Sequence, residues 1–198
     1  TGTDENGSDK RFNGVDDDGN GYVDDWRGWD FCNNDNDPMD DHFHGTHCAG
    51  TIAAVGNNGT GVVGVCWNAS LVALKFLNAG GSGATSDAAE AVAYATTLGV
   101  DLTSNSWGGG GYMQAMRDVI VEAEQHGILF VAAAGNSNSD NDVTPHYPSN
   151  YDVPNVIAVA ATDHNDHLAD FSCFGENTVH IGAPGVYVAS CCPVAFAE

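Results

Sequence analysis

Between residues 70 and 163, short apolar runs alternate with longer segments of helical pattern, and no other feature of the chain constrains its fold as strongly. "SLVALKFL" (70–77) reads as a buried strand. "DAAEAVAYATTLG" (87–99) reads as a helix with Ser86 as its N-cap and Gly99 at its end. "VDLTSNSW" (100–107) is predicted to be a strand, and "YMQAMRDVIVEAEQHG" (112–127) a helix that again ends in Gly. "ILFVAAAG" (128–135) and "NVIAVAATD" (155–163) are two further strands. Strands separated by helices build βαβ units, so the predicted fold class is α/β: a doubly wound parallel sheet with helices on both faces. Ligands of such sheets bind beyond the carboxyl ends of the strands, which singles out residues 106–111 and 135–140.

The chain has 198 residues, enough for a sizeable core in one domain or most of one. Five Lys and Arg face 27 Asp and Glu, a formal net charge of −22. Such a surface repels nucleic acid and anionic membranes and favours bound cations. No apolar stretch is long enough to span a bilayer and no signal peptide is visible, but the chain starts at Thr1 and its location is not read from that. Six Cys are present without a C-x-x-C pair, which argues against a zinc knuckle. Disulfides stay open, and Cys48, in a run of small residues, is expected to be a buried free thiol.

Residues 1–41 are polar and rich in Gly, Asp and Asn, and are expected to be a lead-in loop of the same domain as residues 42–198. Within them Asp16, Asp18, Asn20 and Asp24 stand at positions 1, 3, 5 and 9 of an EF-hand-like pattern, with Gly21 at position 6. That is calcium chemistry, although position 12 is Arg27 where a bidentate Glu is needed. The competing reading is a surface loop of Asx turns.

"HFHGTHCAGTIAAV" (42–55) places three histidines at the start of a helix of small residues. His42, His44 and His47 could be zinc ligands, since H-x-H-x-x-H resembles the H-x-H-x-D-H of metallo-β-lactamases; Thr46 stands where that family has Asp. The stronger reading is nucleophilic catalysis, with one imidazole as general base. The strand-end loops supply matching parts. "SWGGG" presents open backbone to an extended peptide, and Asn136 at a strand end could donate its amide N–H to a developing oxyanion.

"HGTHCAGTIAA", "SNSWGGG", "VAAAGNSNSD", "YPSNYDVPNVIAVAATD" and "IGAPG" together resemble five successive blocks of the subtilisin-like serine proteases, in the family's order, over about residues 13 to 188. The Cys after "HGTH" is similar to the proteinase K branch, and the acidic lead-in to secreted bacterial subtilases. The resemblance implies a serine endopeptidase with His44 as general base and Asn136 as oxyanion donor. A helix N-terminus lowers imidazole basicity, and the family's Asp opposes that. By the same resemblance, Ser106, Trp107, Gly108 and Gly109 form the substrate-binding strand and the wall of the S1 pocket. Trp107 as plain core packing is the alternative. His47 is expected to be structural and His42 to lie at the surface. Phe43 stands where the family usually has Gly, a departure that could crowd the cleft. The resemblance further implies a polypeptide substrate, no catalytic cofactor, a monomer and an extracellular location.

Two family members of the triad have no counterpart here. The family runs Asp, His, Ser along the chain. No "DTG" or "DSG" block precedes His44, and Asp16, Asp17, Asp18, Asp40 and Asp41 lie in loop contexts. No "GTSMAAP" block follows "APG"; Ser190 comes too early, and Ser172 matches a position that is not catalytic. The expectation is an internal fragment of a longer precursor, inactive by itself, with a tail "SCCPVAFAE" that drifts from the family pattern. The alternative is a catalytically dead relative that binds peptides.

Overall fold

A computed structural model describes residues 2–193, so Thr1 and most of the drifting tail lie outside the described residues. The described residues form two compact units, one of residues 2–91 with 189–193 and the other of residues 92–188. Helix α2 (Thr85–Leu98) runs across the boundary in sequence.

The first unit contains a two-stranded parallel sheet, β1 (Gly28–Asp30) beside β2 (Ala73–Lys75), and helix α1 (His44–Ala53). Strand β1 lies in the segment expected to be loop. Its last residue, Asp30, is 1 % exposed, which a carboxylate tolerates only when paired. Lys75 at the paired end of β2 supplies the partner, with Nζ 2.9 Å from Asp30 Oδ2. Asp30 also accepts the N–H groups of Cys32 and Asn33 and the Asn33 amide. Burial pushes the Asp30 carboxyl up, but Lys75 and Asn33 outweigh it and hold the group below its usual range. The apolar run 70–77 contributes only the three residues of β2 as strand.

The second unit contains a four-stranded sheet in the order β3 (Leu102–Asn105), β4 (Leu129–Ala133), β5 (Val156–Thr162), β6 (Ile181–Pro184), every pair parallel. The parallel α/β class expected from the alternation is what forms. Strand β6 comes from the "IGAPG" block, which the apolar pattern did not mark as a strand. Burial alternates along β4 and β5, with Phe130, Ala132, Val156, Ala158 and Ala160 inside. Helix α3 (Gln114–Gln125) packs against β4 and buries Met116, Ile120 and Ala123, one face at helical spacing. Burying the two larger side chains contributes about 1.5–3 kcal/mol each.

The closing glycines stand where predicted. Gly99 and Gly127 follow α2 and α3 with φ of 69° and 75°, a left-handed conformation that glycine adopts without a Cβ penalty. The start of α2 differs, because Thr85 already belongs to the helix and Ser86 is inside it, its hydroxyl turned to Asp87. All six cysteines are free, and Cys48 is only partly buried rather than buried.

Candidate active site

The general-base candidate stands in the first unit. Helix α1 opens with His44, and its N-cap residue, Phe43, offers no side-chain acceptor. Asp40 supplies one from outside the helix. Its Oδ1 accepts the N–H groups of His42 and Phe43 at 2.9 and 3.0 Å. Its Oδ2 accepts both the N–H and the hydroxyl of Thr46 at 2.7 Å. Donors that a helix start leaves open are thereby satisfied, and a negative charge stands at the positive end of the helix dipole. Burial pushes the Asp40 carboxyl up, but the bonds from Thr46, His42 and Phe43 win and hold it at about 2. In the sequence Asp40 reads as one more loop carboxylate; the signal it carried was its place four residues ahead of the helix start.

His44 is exposed, with its Nε2 3.9 Å from Cys48 Sγ, one turn along α1. Phe43, just before it, has φ 101°, in the region that disfavours every side chain. Glycine at this position would be unstrained, a physical reason for the family's preference. The Phe43 ring is 46 % exposed and stacks on His42 with centroids 4.5 Å apart, so His42 is half covered rather than free at the surface. His47 is half-buried, and its carbonyl accepts the hydroxyls of Thr51 and Ser190. Ser190 thereby fastens the segment at 189–193 to α1, and Cys191 beside it lies where a methyl on Gly50 would fall.

The acidic loop of the same unit closes turns. Asp16 accepts the N–H groups of Gly19, Asn20 and Gly21, Asp18 that of Asn20, and Asp24 those of Asn13 and Gly14. Arg27, at the twelfth position of the pattern, pairs with Asp37 at 2.6 Å. Among the described residues no group of three or more His, Cys, Asp or Glu side chains converges as a metal site, either here or at His42, His44 and His47. As folded, the loop's carboxylates are turned to backbone N–H groups rather than gathered on one point.

The peptide-binding candidates stand in the second unit. Asn105 at the end of β3 is level with Ala132 of β4, so residues 106–109 and 135–139 leave the same carboxyl edge side by side. Ser106, Gly108 and Gly109 are exposed, and Gly109 N–H is fixed to the Tyr147 carbonyl at 3.1 Å. Trp107 is half-buried, its indole N–H donating to Asn105 Oδ1 at 3.2 Å, so it is not part of the closed core. A methyl on Gly108 would overlap the His146 ring, and one on Gly135 would lie 2.9 Å from it and 3.0 Å from Cys173 Sγ. The two strand-end segments thus converge on one imidazole, and only glycine fits at either contact. Burial lowers the basicity of His146. A cavity of about 260 Å³ opens along this edge, lined among others by Ser106, Ala133, Ala161 and Gly185. Asn136 is exposed, and its side-chain amide makes no hydrogen bond among the described residues. The two serines without a catalytic match are structural here. Ser172 is 1 % exposed and bonded to Ala161 N–H and the Cys173 carbonyl, and Ser190 is held by His47.

The profile of the subtilase family, peptidase S8, matches residues 1–196. Thermitase of Thermoactinomyces vulgaris is 40% identical over 166 residues, 84% of this chain and 57% of the relative. Subtilisin DY of Bacillus licheniformis is 44% identical over 155 residues, 78% of this chain and 55% of the relative. A crystal structure of a cold adapted subtilisin-like serine proteinase superposes with a TM-score of 0.72 at 33% identity, covering 83% of this chain and 57% of that one. The chain spans somewhat over half the length of these relatives. With the family profile matching nearly the whole chain, and with a parallel sheet like that of the solved neighbour, the chain belongs to the subtilase family.

Proposed function

We propose that the protein of which these residues are part is a serine endopeptidase that hydrolyses peptide bonds through an acyl-enzyme. The observation that carries the reading is the exposed amide of Asn136, unbonded among the described residues, at the same sheet edge as the open backbone of residues 106–109. An extended peptide would lie along Ser106–Gly109, with Trp107 and Gly108 walling the P1 side chain. His44 would take the proton of the attacking serine hydroxyl and return it to the leaving amine. Asn136 would donate to the oxyanion that forms when the carbonyl carbon becomes tetrahedral.

Residues 1–198 taken alone are proposed to be inactive, because nothing in them matches the family's Asp and Ser blocks. The open backbone of residues 106–109 also suits a second reading, a relative that binds peptides without cutting them. Turnover of a peptide anilide by the full-length protein, abolished by His44→Ala, supports the peptidase; binding without turnover supports the second reading. Substrates are proposed to be polypeptides, with no nucleic acid partner given the charge of −22, and the protein to act as an extracellular monomer. No helix of the described residues is long and apolar enough to cross a membrane. Calcium binding by Asp16, Asp18, Asn20 and Asp24 remains a proposal separate from catalysis. It requires those carboxylates to turn from backbone donors to a cation, and calorimetric titration showing heat that Asp18→Ala removes would support it.

A further inference from the structure

Asn136 sits on a loop that leaves β4 through Gly135, and the loop is fastened to a distant stretch of chain. Backbone bonds run from Cys173 N–H to the Gly135 carbonyl, from Asn138 N–H to the Phe171 carbonyl and from Phe174 N–H to the Ser139 carbonyl, at 2.9, 2.9 and 3.1 Å. Between them lies the Cys173 sulfur, with the side chain 0 % exposed. Three groups of the loop point at it: the Ser137 N–H at 3.4 Å, the Ser137 hydroxyl at 3.1 Å and the Ser139 hydroxyl at 3.3 Å. The hydroxyls also meet each other at 2.9 Å. A methyl added to Gly135, on the other side of Asn136, would lie 3.0 Å from the same sulfur. A buried sulfur that accepts a backbone N–H and meets two hydroxyls, with either side of each hydroxyl contact able to donate, is a hydrogen-bonding atom as much as a packing atom. Burial pushes the Cys173 thiol up, but the bonds from Ser137 and Ser139 outweigh it and bring it down to about 7.

The residue after Asn136 is therefore held by its N–H and its hydroxyl to one fixed atom, and the residue before it by its carbonyl. An oxyanion donor acts only when its N–H is aimed beforehand at the place where charge develops. We propose that Cys173 is a positioning residue for Asn136, its sulfur being the anchor to which Ser137 and Ser139 tie the oxyanion loop. This rests on the reading of Asn136 as oxyanion donor. The backbone bonds between the two segments do not involve the sulfur, so losing the sulfur should loosen the aim of Asn136 more than the fold.

The test uses the full-length protein and steady-state kinetics on a peptide substrate, with thermal unfolding measured alongside. Cys173→Ala is expected to lower kcat about tenfold or more while KM stays within about twofold, since a small misplacement at a reacting centre can cost up to about a hundredfold. Cys173→Ser, which keeps an acceptor, should restore most of kcat. The paired change Ser137→Ala with Ser139→Ala removes the same contacts from the loop side and leaves the buried thiol intact, so it should reproduce the kcat loss even if Cys173→Ala folds poorly. In an Asn136→Ala background, Cys173→Ala should cost almost nothing further. A kcat unchanged in both the Cys173 and the paired serine variants, alongside a large loss in Asn136→Ala, would overturn this inference and leave the oxyanion reading standing. So would a kcat loss that merely follows lost thermal stability and is not restored by serine. If Asn136→Ala itself keeps full kcat, the oxyanion reading falls, and the inference with it.

Discussion

The Asp40 carboxylate binds the Thr46 N–H and hydroxyl through a single oxygen, both at 2.7 Å, across the first turn of the helix that His44 begins. The start of that helix is thus set by a residue outside it. The carboxylate places the general-base candidate through the backbone, while the His44 ring itself meets Cys48 Sγ at 3.9 Å.

Asp40→Ala should destabilise the protein by about 1–2 kcal/mol, the usual loss for an N-terminal helix acceptor. The sign of its pH dependence follows from the lowered carboxyl, about 2 when folded against 3.8 ordinarily. The contribution is complete above the higher value and is lost as pH falls through the lower. Urea midpoints of the two proteins should differ most near neutrality and converge as pH is lowered through that window.

Phe43→Gly should stabilise the fold by about 1 kcal/mol, because a left-handed conformation costs a non-glycine residue about 1–3 kcal/mol and the ring it loses is half exposed. A rise in the thermal midpoint is the readout. No rise would mean that the stack on His42 offsets the strain.

Lys75→Met should cost about 3–5 kcal/mol, since it leaves the Asp30 charge buried without its cation. Asp30→Asn placed on top of it should recover part of the loss, because the uncompensated charge goes while the bonds to Cys32 and Asn33 keep an acceptor. Denaturant titration of the single and double variants measures both.

Asn136→Ala should lower kcat by about 10²–10³ with little change in KM, the range known for subtilisin's own oxyanion Asn and not a value that follows from the geometry of this chain. The side chain is exposed and unbonded among the described residues, so the thermal midpoint should stay where it is.

How far the sequence foretold this depends on the range over which each feature is encoded. Helices α2 and α3 were legible because their apolar spacing and closing glycines are local signals. Strand β1 was not: it is three residues long and ends in a charge that becomes tolerable only beside Lys75, 45 residues on. Phe43 was legible as a departure from the family, but its cause, a positive φ, is a property of the backbone that no residue type announces. His44 and Asn136 were picked out by their blocks; the structure adds their surroundings. Cys173 carried no signal, since Ser137 and Ser139 read as ordinary turn residues until a segment 34 and 36 positions later is brought beside them.

The bond from the Ser190 hydroxyl to the His47 carbonyl joins residues 143 positions apart. The unit that contains it is discontinuous in sequence, whereas residues 92–188 form theirs without interruption. Closing so long a loop carries an entropic cost, and contacts of this separation slow folding. A ribosome makes the order plainer still. The amino-terminal unit emerges first, yet it lacks its closing segment until residue 190 is free, by which time all of 92–188 has already been synthesised. Order of synthesis and order of completion are therefore reversed between the two units.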